Sequence, residues 1–207
     1  GETVLDAYKV FELGGKKIAF VGLTTPESFT KSTPAYFQDG NGNYIYGIAG
    51  GTDGAELYAA AQKAIDAASQ EADIVIALGH LGDDPASKPW TSEELIANTT
   101  GLDAFIDGHS HSTVAGKEVA DKDGNAVLLT QTGEYFDAIG MMLIDGETGD
   151  ITTDLITYEE VVETVLDENG QPVLDEDGKK KKKEIKPKLG NCLKYHDLKE
   201  ELENLWS

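Results

Sequence analysis

Residues 53–111 read as helix, strand, helix, strand, and that alternation limits the fold more than any other feature of the chain. Asp53-Gly-Ala-Glu56 has the form of a capping box, in which side chains at the first and fourth positions satisfy free N–H groups at a helix start. Leu57, Ala61, Ile65 and Ala68 follow at helical spacing and predict a helix packed on a sheet. Asp73-Ile-Val-Ile-Ala-Leu-Gly-His80 is a short apolar run that ends in Gly-His. A loop from Gly82 to Pro89 leads to a second capping box, Thr91-Ser-Glu-Glu94, and a short helix through Leu95, Ile96 and Ala97. Gly101 ends that helix, and Ala104-Phe-Ile106 is a second buried strand. Strands separated by helices pair in parallel, with the helices laid on a sheet face.

The flanks are strand-rich. Residues 6–13 and Lys16–Thr24 are two strands joined at Gly14-Gly15, a hairpin signal. Thr25-Pro-Glu-Ser28 breaks the second, and residues 29–52 read as one long loop. After residue 111, short strands are expected at 115–120, 126–132, 138–144 and 151–158. The turn clusters between them suggest an antiparallel meander. Beyond residue 158 the pairs Val165-Leu166 and Val173-Leu174, each followed by an Asp-Glu-x-Gly turn, suggest an exposed hairpin. Lys179–Lys183 reads as a solvated basic turn or strand edge, with a partner-binding patch as the alternative. Residues 195–206 form an amphipathic pattern with Leu198, Leu202, Leu205 and Trp206 on one side, a linker helix. The division expected is 1–158 and 159–207.

Both site strands end in Gly-His. Asp107-Gly108 lets the chain turn after Ile106, and His109 and His111 follow two residues apart. On an extended backbone such side chains project the same way. Neutral imidazole is the commonest metal ligand, and an open α/β sheet places its ligands at the carboxyl ends of strands. His80, His109 and His111 are therefore the candidate metal ligands. His196 lies apart from them and reads as surface.

Composition removes several function classes. The 207-residue chain has a formal net charge of −21, which opposes binding to nucleic acid or to an anionic membrane. It contains no arginine, so no guanidinium fork can hold a phosphate. Cys192 is the single cysteine, which excludes an internal disulfide and a multi-cysteine zinc site. No apolar run is long enough to span a bilayer.

Gly79-His-Leu-Gly82 and Gly108-His-Ser-His111 resemble the last two metal motifs of the calcineurin-like metallophosphoesterases, and more closely those of the bacterial 5'-nucleotidase and UDP-sugar hydrolase branch. Phe20-Val-Gly-Leu-Thr-Thr-Pro26, the lead-in Gly101-Leu-Asp-Ala-Phe-Ile-Asp107 and Gln131-Thr-Gly133 add to the likeness, which covers about residues 6–158. The fold implied is α/β: part of a four-layer α-β-β-α metallophosphoesterase sandwich with mixed sheets. The resemblance implies a centre of two divalent ions (Zn, Mn or Fe), with His80 and His109 on one and His111 on the other. The reaction implied is hydrolysis of a nucleotide to nucleoside and phosphate by a metal-activated hydroxide. It further implies an extracellular, periplasmic or cell-surface location. A 2',3'-cyclic-nucleotide phosphodiesterase or another phosphoesterase of the same fold is the nearest alternative, and a non-catalytic acidic binding module is a different one.

The family's earlier motifs are an Asp-x-His, a Gly-Asp with the bridging carboxylate, and a Gly-Asn-His followed by an acid. None is placed here, and no Asn-His pair occurs. The expectation is therefore the C-terminal half of a catalytic domain, with no catalytic residue of its own. Such a half would bind metal weakly, be inactive as an isolated chain, and form a homodimer or a rearranged or swapped assembly through its uncovered sheet.

Overall fold

The computed structural model describes residues 3–157 and 162–184. The chain divides into two compact units, Gly1–Leu155 and Ile156–Ser207. Cys192, His196 and the expected helix at 195–206 lie outside the described residues.

A six-stranded mixed sheet organises the first unit. Its strands are β1 (Tyr8–Leu13), β2 (Lys16–Thr24), β3 (Ile74–His80), β4 (Ala104–Asp107), β5 (Thr113–Ala120) and β6 (Ala126–Thr132), in spatial order β1-β2-β3-β4-β6-β5. The first pair is the hairpin expected from Gly14-Gly15, with Leu13 opposite Lys16. Strands β2, β3, β4 and β6 are mutually parallel along the sheet, and β5 returns antiparallel to β6. Helix α2 (Ala55–Ser69) connects β2 to β3, and α3 (Ser92–Asn98) connects β3 to β4. This is the parallel α-β-α-β arrangement that the sequence alternation predicts.

The period of two in each strand divides the core between two faces. Ala19, Val21, Val75, Ala77, Phe105, Val127 and Leu129 pack against Leu57, Ala61, Ile65 and Ala68 of α2 and Leu95 and Ile96 of α3. The other face carries Ile18, Ile74, Ile76 and Ala104, and against it lie Met142, Ile144 and Ile151. Those come from β7 (Ala138–Ile144) and β8 (Ile151–Thr157), which form a separate two-stranded sheet. Cover on that face is partial: Leu78, in the middle of the sheet, is 53% exposed.

Four expectations are corrected. The expected strands from 115 to 158 are not one meander: β6 inserts between β4 and β5, and β7 and β8 pair with each other apart from the main sheet. The segment 29–52 is not wholly a loop, because α1 (Ser28–Lys31) and a 3-10 turn at Pro34–Phe37 occupy its start. Rings of Phe29, Phe37 and Tyr44 pack edge to face there, a contact invisible to local pattern. Asp53 does not cap α2. The cap position is Gly54, in the left-handed region at φ 79°, while the Asp53 carboxylate accepts from the Ala55 N–H. At α3 Thr91 does cap, accepting from the Glu94 N–H, but the Glu94 carboxylate turns to Lys88 instead of closing the box.

The second unit holds β9 (Val162–Thr164) paired antiparallel with β10 (Lys182–Glu184). Between them the chain makes two turns in succession, not one hairpin tip, closed by the bridges Leu166–Pro172 and Leu174–Lys180. Each turn is built on an aspartate whose Oδ1 accepts two N–H groups: Asn169 and Gln171 on Asp167, Asp177 and Lys179 on Asp175. Asp39 and Asp121 build the same turn in the first unit. Lys179, Lys180 and Lys181 are exposed.

Gly79 lies against the ring of Phe105, and a Cβ at that position would overlap it. Gly79→Ala is therefore expected to destabilise the protein by about 1–3 kcal/mol, read as a lower urea midpoint at unchanged slope.

Candidate functional site

Parallel pairing brings the carboxyl ends of β2, β3, β4 and β6 to one edge of the sheet. The segments leaving that edge carry Glu27 after β2, His80 at the end of β3, His109 and His111 after β4, and Glu134 after β6. The position is the one that the sheet rule assigns to a ligand site.

His80 and His109 come together. Their ring centroids lie 4.9 Å apart at an interplanar angle of 67°. Gly108 makes the approach possible, since a Cβ there would sit 3.1 Å from His80 Nδ1. Burial lowers the His80 pKa, and the neighbouring His109 lowers it further. Asp107 opposes those effects, and His111 adds a smaller push downward. The His80 imidazole is thus held towards its neutral, lone-pair form.

His111 turns elsewhere. Convergence of the two side chains requires an extended backbone, but His109 has φ 88° and His111 φ 59°, both left-handed. Two such turns in three residues send the side chains apart. His109 is 10% exposed and points inward, whereas His111 is 59% exposed and its Nδ1 lies 2.6 Å from Glu134 Oε2.

Glu27 is the site residue that the sequence reading missed. Its Oε2 lies 2.8 Å from His109 Nε2 and accepts from Ser87 Oγ at 2.7 Å. Lys31 Nζ reaches the same carboxylate. Burial pushes the Glu27 carboxyl up, but the hydrogen bonds from Ser87, His109 and Lys31 outweigh it and hold the pKa below the ordinary value. The only sequence signal was position: Glu27 follows a strand parallel to the two that end in histidine.

A second network fixes the loops beneath the rings. Asp107 Oδ1 accepts from the N–H groups of Leu81 and Gly82, tying the exit of β3 to the end of β4. Its Oδ2 is buried without a hydrogen-bond partner among the described residues. Asp83 accepts from the hydroxyls of Ser110 and Ser112 at 2.6 Å each. Buried Gln131 of β6 accepts from the Ser112 N–H at 3.1 Å.

A divalent ion bound by protein alone needs three or four donors. Among the described residues no three His, Cys, Asp or Glu groups converge in that way. His80 and His109 fit as two donors to one ion, the second oriented by a carboxylate as ligating imidazoles commonly are. The described residues therefore supply part of a donor set and do not complete it.

Comparison with known proteins returns one consistent architecture. No family model matches the chain. The Bacillus subtilis (strain 168) trifunctional nucleotide phosphoesterase protein YfkN is 26% identical over 156 residues, which is 74% of this chain and 9% of that protein. Among solved structures, sulfate thiohydrolase SoxB of Thermus thermophilus superposes with a TM-score of 0.56 at 19% identity, over 76% of this chain and 26% of that one. The calcineurin-like phosphoesterase YfkN of Bacillus subtilis gives 0.52 at 19% identity, over 76% and 52%. The chain thus spans about a tenth of the curated relative and from a quarter to half of these solved ones. Among the described residues no helix is long and apolar enough to cross a membrane.

Asp83 generates a pH prediction. Burial raises its carboxyl pKa, but the Ser110 and Ser112 hydroxyls more than offset this and hold it below the usual value. A depressed carboxyl stabilises the fold above the unfolded pKa of about 4, and that stability is lost as pH falls through the lower folded value. Asp83→Asn is expected to cost about 1 kcal/mol at neutral pH. In urea titrations the gap from wild type should close as the pH drops below about 4.

Proposed function

We infer that this chain, which resembles the calcineurin-like metallophosphoesterases and has their fold, is a portion of a metal-dependent phosphoester hydrolase of the 5'-nucleotidase type. The observation that carries the reading is the His80–His109 pair at the carboxyl ends of adjacent parallel strands, with a carboxylate on the second ring. Residues 1–158 are the portion of the catalytic domain on this reading, and 159–207 a charged hairpin and linker. The nucleotide substrate class follows the name of the Bacillus subtilis relative, a nucleotide phosphoesterase, and the placement outside the cytoplasm follows the family resemblance.

His80 and His109 would hold one ion, with further donors from residues outside this set, and His111 would contribute to a second ion by leaving Glu134. Such ions would supply positive charge to a phosphoryl group and lower the pKa of an attacking water. That role suits a chain without arginine. Within the chain, Glu27 lies against His109 Nε2, Asp107 fixes the backbone below His80, and Phe105 with Leu81 keeps water from beneath the site. The half-exposed Leu78 and Phe11 also support pairing of two copies through the sheet.

The test is hydrolysis of AMP and of a chromogenic phosphoester with added Mn or Zn. The isolated chain is expected to be inactive. In the longest natural form that contains it, His109→Ala is expected to lower kcat/KM by at least about 100-fold, the upper end of what loss of a supporting residue costs. Full activity of that variant would overturn the reading. For self-association, sedimentation showing only monomer across a wide concentration range would remove the homodimer.

A further inference from the structure

We propose that Glu27 is the positioning residue for His109, holding its neutral ring as the Nε2–H tautomer and leaving Nδ1 as the nitrogen with the lone pair. The consequence for catalysis rests on the hydrolase reading, whereas the tautomer does not.

The geometry allows one direction for this hydrogen bond. Glu27 Oε2 lies 2.8 Å from His109 Nε2. Ser87 Oγ and Lys31 Nζ also donate to that carboxylate. A carboxylate oxygen that already accepts from those two donors accepts from the ring as well. A neutral imidazole carries one N–H, so a donating Nε2 leaves the lone pair on Nδ1. Both partners are largely withdrawn from water, 10% exposed for His109 and 15% for Glu27, so water does not compete for the bond.

The placement of Glu27 is itself constrained. Its N–H donates to Thr25 Oγ1, and Thr25 is fully buried with its own N–H on the His80 carbonyl. The Glu27 backbone is thereby tied to β3, the strand that carries the other ring. Ser87 reaches Glu27 from the loop between β3 and α3 and is also fully buried. Ser87 from that loop and Lys31 one turn along hold the carboxylate in place, while His109 keeps a backbone at φ 88° that an L-residue rarely adopts. A non-glycine residue persists in such a conformation when its surroundings over-determine it. The Glu27 contact is the strongest polar restraint that the His109 ring has among the described residues.

The experiment is nitrogen-15 NMR of the imidazole groups in the metal-free full chain at about pH 8, where histidine is neutral. His109 should show the Nε2–H signature in wild type and a mixture of tautomers in Glu27→Ala. Glu27→Gln, whose amide oxygen can still accept, should retain more of the Nε2–H form than Glu27→Ala. Ser87→Ala, which removes a different donor from the same oxygen, should leave the signature unchanged. A wild-type His109 protonated at Nδ1 overturns the proposal, whether or not any variant folds. A signature identical in wild type and a folded Glu27→Ala protein also overturns it. In the active longer form, Glu27→Ala should lower kcat/KM by about 10–100-fold. Absence of activity in every form would count against the hydrolase reading, and the tautomer measurement would still decide the role of Glu27.

Discussion

Everything at the site depends on the parallel register of β3 on β4. Ile76 faces Ala104, Ala77 faces Phe105 and Leu78 faces Ile106. The Phe105 ring fills the space that a side chain at Gly79 would take. A slip by one residue would turn Phe105 to the opposite face and abolish that fit. The ring therefore locks the register, and the register sets His80 beside His109. A hydrophobic contact inside the sheet thus determines a polar geometry at its edge. Its weight is large, since burying a phenylalanine contributes about 2–3 kcal/mol.

The parts legible in the sequence were those set by local periodicity and by strand order. The helix stripe from Leu57 to Ala68, the apolar runs before His80 and His109, and the parallel α-β-α-β arrangement follow from side-chain spacing alone. The resemblance drawn from the two Gly-His motifs led to the fold that the solved structures share. What was not legible depends on partners far apart in the chain. Glu27 and His109 are 82 residues apart. The insertion of β6 between β4 and β5 reflects burial of Val127 and Leu129 under the helices, which no pattern within β6 distinguishes from a meander. Gly54 displaced Asp53 as the cap of α2 because only the glycine tolerates the left-handed turn required there.

The two histidines of the last motif illustrate how sequence spacing and backbone geometry separate. An i, i+2 pair converges only if the backbone between them is extended. Here both residues sit in the left-handed region. His109 is drawn to Glu27 and His111 to Glu134, so two positions separated by one residue face different carboxylates. In a chain with 38 acidic residues and 17 lysines, an imidazole has few competitors for a carboxylate partner.

The network of Asp83, Ser110, Ser112 and Gln131 bears on the thermodynamics of binding. These side chains hold the turn after β4 through hydrogen bonds internal to the protein. The loop is thus ordered by folding itself, before anything arrives. A molecule that binds at the edge of this sheet meets a surface with little conformational entropy left to lose there. Association at such a preorganised rim should differ among ligands chiefly through the contacts they form, since the protein contributes a nearly constant cost of ordering.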